Sequence, residues 1–214
     1  MAGLGEERRL IADGCRLIAG VDEVGRGCWA GPVVAAAVIF PPAILEQPEL
    51  LRGIEDSKTL SASQRDAMAA RIGELALGVG VGAAPAFVID HFGIGPATAW
   101  AMAQAVLALP LLPDALLIDW VRLPALPIRQ RSMPRGDALS VSIAAASIIA
   151  KVRRDRMLAA WDRADGRYGF GAHKGYGTAQ HQAALARFGP SALHRRSFRP
   201  VAALGDWGSG TGDR

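Results

Sequence analysis

Two adjacent acids close an apolar run near the N-terminus. In GVDEVGRG, residues 20–27, Asp22 and Glu23 follow Leu17, Ile18 and Val21 and precede an arginine, Arg26, set between Gly25 and Gly27. Carboxylates at the mouth of a core strand are unfavourable to bury unless a cation meets them, and a divalent ion is the simplest general solution. The competing reading is an ordinary strand-end acid, solvated or paired with Arg26, and for an isolated Asp-Glu pair structural ion pairs outnumber catalytic ones. The flanking residues shift that balance. Gly25 and Gly27 let the backbone turn sharply and approach a ligand, with Arg26 presented between them as a cation. Successive strand residues point to opposite faces, so the two carboxylates are expected to share one point only if the pleat breaks, and the break is expected at Glu23.

A second run, ALLID at residues 115–119, ends in Asp119 in the same way. In open α/β sheets, sites form beyond the carboxyl ends of the strands, so Asp119 can meet the first pair there. Asp137 is a fourth candidate, just ahead of a helical stretch whose small residues allow close packing on a sheet; its competing role is helix N-cap. Asp155 is the rival, but Arg153, Arg154 and Arg156 surround it and favour surface ion pairing. Lys58 sits in a loop before a helix, where free amides attract anions, with a solvated lysine equally in view. FGAHKGYGT, residues 170–178, reads as a glycine-rich loop carrying His173, Lys174 and Tyr176, and a tyrosine between glycines suits stacking on a sugar or base. Arg195, Arg196 and Arg199 form a basic cluster.

These residues need a scaffold of strands and helices. Short apolar runs predict strands around residues 17–21, 32–40 and 115–119, the second pairing with the first, and a Gly/Val alternation predicts another over 78–84. Ser61 with Gln64 three residues on is a capping box opening a helix toward Leu75. Residues 86–91 and 97–109 read as helical. Pro124, Pro127 and Pro134 punctuate a basic connection with room for one short strand. Ala145, Ile148, Ile149 and Val152 share a helix face. Thr178 caps a last helix that Gly189 and Pro190 end.

The 214 residues, 50% hydrophobic and 21% charged, fit one globular domain with a real core. The expected organisation is a segment 1–14, a catalytic domain 15–200 whose helical C-terminal part begins near 166, and a flexible tail 201–214. The formal charge of +4 is carried almost wholly by arginine, lysine occurring only as Lys58, Lys151 and Lys174. That modest excess suits an anionic partner such as nucleic acid without establishing one. Cys15 and Cys28 show neither metal spacing nor a disulfide framework, which points to a reducing cytoplasm. The apolar stretch 94–112 is interrupted by Gly95, Pro96, Gln104 and Pro110, so a buried helix is expected and no membrane partner.

GVDEVGRG, DSKTL at residues 56–60, LLID at 116–119, Gly136-Asp137, SIAAASIIAKVRRD at 142–155 and HKGYGT at 173–178 together resemble the ribonuclease HII family, in the family's order, from Leu17 to about Phe198. The resemblance implies an α/β fold: a ribonuclease H-like mixed sheet flanked by helices, with a small C-terminal helical subdomain. It implies cleavage of the RNA strand of RNA/DNA hybrids and incision at ribonucleotides embedded in duplex DNA, giving 5′-phosphate and 3′-hydroxyl ends, with Mg²⁺ or Mn²⁺, two ions in the active complex. Asp22, Glu23, Asp119 and Asp137 match the metal-binding carboxylates, the first and third as central ligands. Gly25, Arg26 and Gly27 match the loop that senses the ribose, and Tyr176 the tyrosine that packs on the neighbouring sugar. Lys58 and Lys174 fall in segments similar to phosphate-contacting loops. Arg26 also separates the sequence from the sister type, ribonuclease HIII, which usually has threonine there. Trp120 departs from the pattern, standing where the family usually has glycine, and the helix around residues 93–102 lacks its asparagine-rich wording.

A cytoplasmic monomer is expected. The alternatives are a non-catalytic nucleic-acid binder on the same fold, which four retained acids oppose because they repel phosphate, and an unrelated nucleotide-binding α/β enzyme, which the absence of GxxxxGKS and GxGxxG patterns opposes.

Overall fold

A computed structural model of the chain describes residues 2–55 and 60–204. Lys58 and the tail from residue 205 onward lie outside the described residues. Helix α1 (Gly5–Ala12) leads to β1 (Ile18–Val24) and β2 (Val33–Ile39). After the short α2 (Pro42–Leu45) and a 3-10 turn come α3 (Ala62–Leu75), β3 (Gly78–Ala84), α4 (Ala86–Phe92) and α5 (Ile94–Leu107). Strands β4 (Ala115–Asp119) and β5 (Arg129–Met133) complete the sheet, and α6 (Gly136–Leu139), α7 (Val141–Ala164), α8 (Phe170–His173), α9 (Ala179–Phe188) and α10 (Arg199–Ala202) follow.

The five strands are ordered β3-β2-β1-β4-β5, antiparallel from β3 to β1 and parallel from β1 to β5. This is the expected mixed sheet. Both faces are buried, so the inner strands read as continuous apolar runs. Val21, Ala35, Ala37, Leu116 and Ile118 pack with α5 on one face, while Ala36 and Val38 pack with α7 and α3 on the other. Close approach of α7 to the sheet requires Gly20: a Cβ there would lie 2.0 Å from the carbonyl carbon of Ser142. The first ten residues of α7 are all buried, so its small side chains seat the helix directly on β1.

Most expected elements form where the sequence places them, the Ser61–Gln64 capping box included. Four differ. Strand β1 does not break at Glu23; it continues to Val24, with Glu23 opposite Ala35 and Val24 opposite Val34. Helix α5 starts at Ile94, earlier than expected, because Gly93 at φ 82° ends α4 and permits an immediate restart. Asp137 is not the N-cap of α7. That place belongs to Ser140, whose hydroxyl accepts from Ile143 N at 3.2 Å, while Asp137 lies within the separate turn α6. Finally, residues 170–173 form the helical turn α8, with Phe170 and His173 buried.

Candidate active site

The parallel pairing of β1 and β4 sets the site. Val21 stands opposite Ile118, so the same register carried one residue further brings Asp119 beside Asp22 at the carboxyl ends of both strands. The β1–β4 ladder stops there, and the carboxylates converge at its open end. Ligand oxygens of Asp22, Glu23 and Asp119 all lie within 4.8 Å of one another. No pleat break is needed: the Asp22 carboxylate folds back to accept the Glu23 N–H at 2.7 Å. Asp119 is steered from the other side, its Oδ1 accepting the Gly136 N–H at 2.7 Å.

The trio is electrostatically unfavourable as it stands. Burial pushes the Asp22 carboxyl well above the usual carboxylate range, and the charges of Glu23 and Asp119 push it further. Glu23 is raised by burial too, opposed by the Arg26 guanidinium, whose Nη1 is 3.7 Å from Glu23 Oε1. Glu23 Oε2 is buried without a hydrogen-bond partner. An all-carboxylate cluster with a buried vacant lone pair is a hard oxygen donor set, which fits a divalent cation.

A cleft of about 240 Å³ opens on the trio, lined also by Gly25, Arg26, Asp137, Ser147, Lys151 and Tyr176. Asp137 is buried in this wall but stands outside the compact trio. A larger hollow, about 440 Å³, lies at the N-terminal segment. Its charged lining groups, Arg8, Glu49 and Arg52, include a single carboxylate, so it offers no comparable chemistry. Ser147 and Lys151 escape the sequence reading, which takes α7 only for its packing stripe; their i,i+4 spacing is the signal that a second stripe faces the cleft. Lys151 donates to Asp155 at 2.8 Å, which corrects the expected partners of Asp155: it pairs with Lys151, while Arg156 pairs with Asp66.

Lys174 is not brought into the cleft. Its ammonium donates to Gly171 O at 2.6 Å and borders a separate hollow with Arg65 and Arg156. Gly25, at φ 90°, must be glycine, since a Cβ there would fall 2.2 Å from Arg154 Nε. Gly27 is different: it is exposed, and a Cβ would meet nothing within 4 Å, so there glycine leaves space in front of the loop rather than permitting a turn.

Two arginines that sequence reasoning placed on the surface are fully buried, and both hold this loop. Arg195 Nη1 donates to Arg26 O at 2.7 Å, Nη2 to Gly25 O at 2.6 Å, and Nε to Gly31 O at 3.0 Å. Arg154 donates to Pro32 O, Ala30 O and Lys174 O at 2.8–2.9 Å, joining the loop's exit to the Tyr176 segment. Trp29 N–H to Gly175 O at 2.8 Å is a further tie. The expected basic cluster therefore loses Arg195 to the interior.

Tyr176 is held by a chain of neutral histidines. Ser191 N–H donates to His194 Nδ1 at 3.0 Å, so the His194 proton is on Nε2 and is donated to His181 Nε2, 3.0 Å away. His181 then carries its proton on Nδ1 and donates to Tyr176 O at 2.9 Å. Burial holds both rings' pKa values down, His194 to about 4. A histidine depressed from 6.5 to about 4 contributes stability that is complete above 6.5 and lost as pH falls toward 4, on the order of 3 kcal/mol at about 1.4 kcal/mol per unit. In urea unfolding of metal-free protein between pH 7 and 4, where the raised Asp22 and Glu23 carboxyls act in the opposite sense, wild type is expected to lose more stability on acidification than His194→Gln; an equal pH dependence of the two refutes the assignment.

Comparison with known proteins follows the same lines. The pattern of the family described as Ribonuclease HII matches residues 19–201. The chain is 64% identical to Ribonuclease HII of Herpetosiphon aurantiacus over 204 residues, covering 95% of this chain and 99% of that protein. Identity to Ribonuclease HII of Chloroflexus aurantiacus is 58%, covering 91% and 92%. Among solved structures, ribonuclease H2 from Pyrococcus horikoshii OT3 superposes with a TM-score of 0.74 over 88% of this chain and 96% of that one; at 23% identity this likeness speaks to the fold.

Proposed function

We propose, from the premise that the chain belongs to the ribonuclease HII family, that it cleaves the RNA strand of RNA/DNA hybrids and incises 5′ of ribonucleotides embedded in duplex DNA, leaving 5′-phosphate and 3′-hydroxyl ends. Family membership makes it a ribonuclease with ribonuclease H activity. The observation that supports the finer reading most is the meeting of Asp22, Glu23 and Asp119 within 4.8 Å beside the Gly25–Gly27 loop.

In this reading Asp22 and Asp119 are the central ligands of two divalent ions, Mg²⁺ or Mn²⁺, with Glu23 and Asp137 as outer ligands. Such ions, when bound, supply the Lewis acidity that activates water and stabilises the leaving oxygen. The protein's own groups do the rest. Backbone groups of the Gly25–Gly27 loop, fixed from behind by Arg195, contact the 2′-hydroxyl, the one group that separates ribose from deoxyribose. Tyr176 packs on the adjoining sugar, with its backbone held by His181. Arg26, whose guanidinium lies 3.7 Å from Glu23 at the edge of the cleft, would contact phosphate. Lys58 is assigned to phosphate, as is Lys174, which serves the strand farther out along the hollow shared with Arg65 and Arg156. The working form proposed is a cytoplasmic monomer; the free thiols of Cys15 and Cys28 support that compartment. Among the described residues no helix is long and apolar enough to cross a membrane.

Incubation with three otherwise identical duplexes, all-DNA, DNA with one ribonucleotide, and RNA/DNA hybrid, tests the proposal. Cleavage of the last two, dependent on Mg²⁺ or Mn²⁺ and absent on the first, is expected. Cutting of all-DNA at a comparable rate, or cutting that survives chelation, overturns it.

A further inference from the structure

We propose that Trp120 is a substrate contact: its indole, one residue beyond Asp119 and beside the cleft, is a stacking platform for the nucleic acid. The inference rests on the ribonuclease reading above and adds a residue to it. Strand β4 ends at Asp119, and the chain reverses at once. Val121 N–H donates to Asp119 O at 2.7 Å across Trp120, which sits at φ 61°. A three-residue turn with a left-handed central residue is a strained arrangement, and a bulky side chain makes it more so. Glycine would relieve the strain, yet tryptophan stands here.

The turn is also rigid. Trp120 N–H is donated to Met133 O at 3.1 Å, Ser132 Oγ donates to Val121 O at 2.6 Å, and Gln130 ties down Leu123 and Leu126. The indole is therefore carried on a fixed stalk one residue from a candidate metal ligand. It is 60% exposed, and the Arg26 guanidinium lies 4.8 Å from its ring centroid. Burial of the ring in the core does not account for the strain. What the turn does is hold an exposed indole against Arg26, a cleft-lining cation of the Gly25–Gly27 loop, one residue beyond Asp119. An aromatic plane beside a guanidinium suits bases and sugars next to anionic phosphates, and it is tolerant of sequence because every base has a π-face.

The test measures hybrid binding by Asp22→Asn protein, in which binding is separated from cleavage, together with single-turnover cleavage by protein whose Asp22 is intact. In the first, Trp120→Ala is expected to weaken binding about tenfold. In the second, it raises the substrate concentration for half-maximal rate by a similar factor and changes the maximal rate less than about threefold. Trp120→Phe, with a smaller aromatic plane, restores most of the affinity. Fluorescence quenching on adding hybrid is smaller in Trp120→Phe than in the parent. Unchanged affinity in Trp120→Ala, or failure of Trp120→Phe to restore it, overturns the proposal. So does a loss that disappears when Arg26→Ala is already present, because Trp120 would then act only by holding Arg26. Failure of the ribonuclease reading shows separately, as absence of cleavage by unsubstituted protein.

Discussion

Asp22→Asn is expected to reduce cleavage of a single-ribonucleotide duplex by roughly a thousandfold or more, because in the proposed mechanism Asp22 would help to hold Lewis-acid stabilisation worth several kcal/mol. Binding of the hybrid should survive, since phosphate and sugar contacts come from other residues. The same substitution should stabilise the metal-free fold. Burial, then the charges of Glu23 and Asp119, raise the Asp22 carboxyl above its unfolded value. A carboxyl raised on folding contributes stability only below that unfolded value and loses it as pH climbs through the folded one, so above the unfolded value this carboxyl opposes folding. Asn keeps the shape and can accept the Glu23 N–H through its amide oxygen without the charge. Thermal unfolding in chelator should therefore show a higher midpoint for the variant. Adding Mn²⁺ should raise the midpoint of the wild type more than that of the variant, as a ligand that binds only the native state must. Full activity in Asp22→Asn, or equal Mn²⁺ response, removes Asp22 from the role assigned.

This opposition between folding and chemistry also explains which features are legible from sequence. Asp22, Glu23 and Asp119 stand out because acids at the ends of apolar runs violate the pattern that a core strand should keep, and such violations mark functional sites. Their meeting follows from parallel pairing of β1 and β4, which the shared design of the two runs suggests. The supposed break at Glu23 shows the limit. Alternation predicts the direction of Cβ, but a carboxylate at an open strand end can fold back along its own backbone, as Asp22 does toward Glu23 N. Arg154 and Arg195 are illegible for a different reason. A guanidinium is read as surface because burial without partners is prohibitive, and here the partners are carbonyls far off in the chain, as much as 170 residues away for Arg195 and Gly25. No local pattern encodes them. The histidine chain is hidden in the same way, since His181 and His194 acquire their roles only once α9 packs against the Tyr176 segment.

Arg195→Lys tests whether those hidden carbonyl contacts matter to function. The guanidinium fork reaches three carbonyls, of Gly25, Arg26 and Gly31, and no single ammonium reproduces that planar spread. Its pKa, lowered by burial to about 10, leaves it charged at neutral pH, so the bonds are charge-assisted. With lysine, at least one buried carbonyl loses its donor, at about 1–3 kcal/mol for each group left unpaired. For a chain of this size that lowers the thermal midpoint by roughly 2–4 °C per kcal/mol. The larger consequence is in the loop. Released from behind, the Gly25 and Arg26 peptide groups would no longer keep one orientation toward the 2′-hydroxyl they are proposed to contact, and a displacement of about 1 Å is enough to reduce rate a hundredfold. The expected result is a fall of ten- to a hundredfold in kcat/KM on the single-ribonucleotide duplex, with Mn²⁺ affinity close to wild type because Asp22, Glu23 and Asp119 are untouched. Arg196→Lys is the matched control: that side chain is exposed, and its backbone N–H, which donates to Asp90 at 3.0 Å, is unaffected. Calorimetric Mn²⁺ titration and single-turnover cleavage of both variants decide the matter. If Arg195→Lys cleaves like Arg196→Lys, the buried fork supports the fold alone and the ribose-sensing loop orients itself without it.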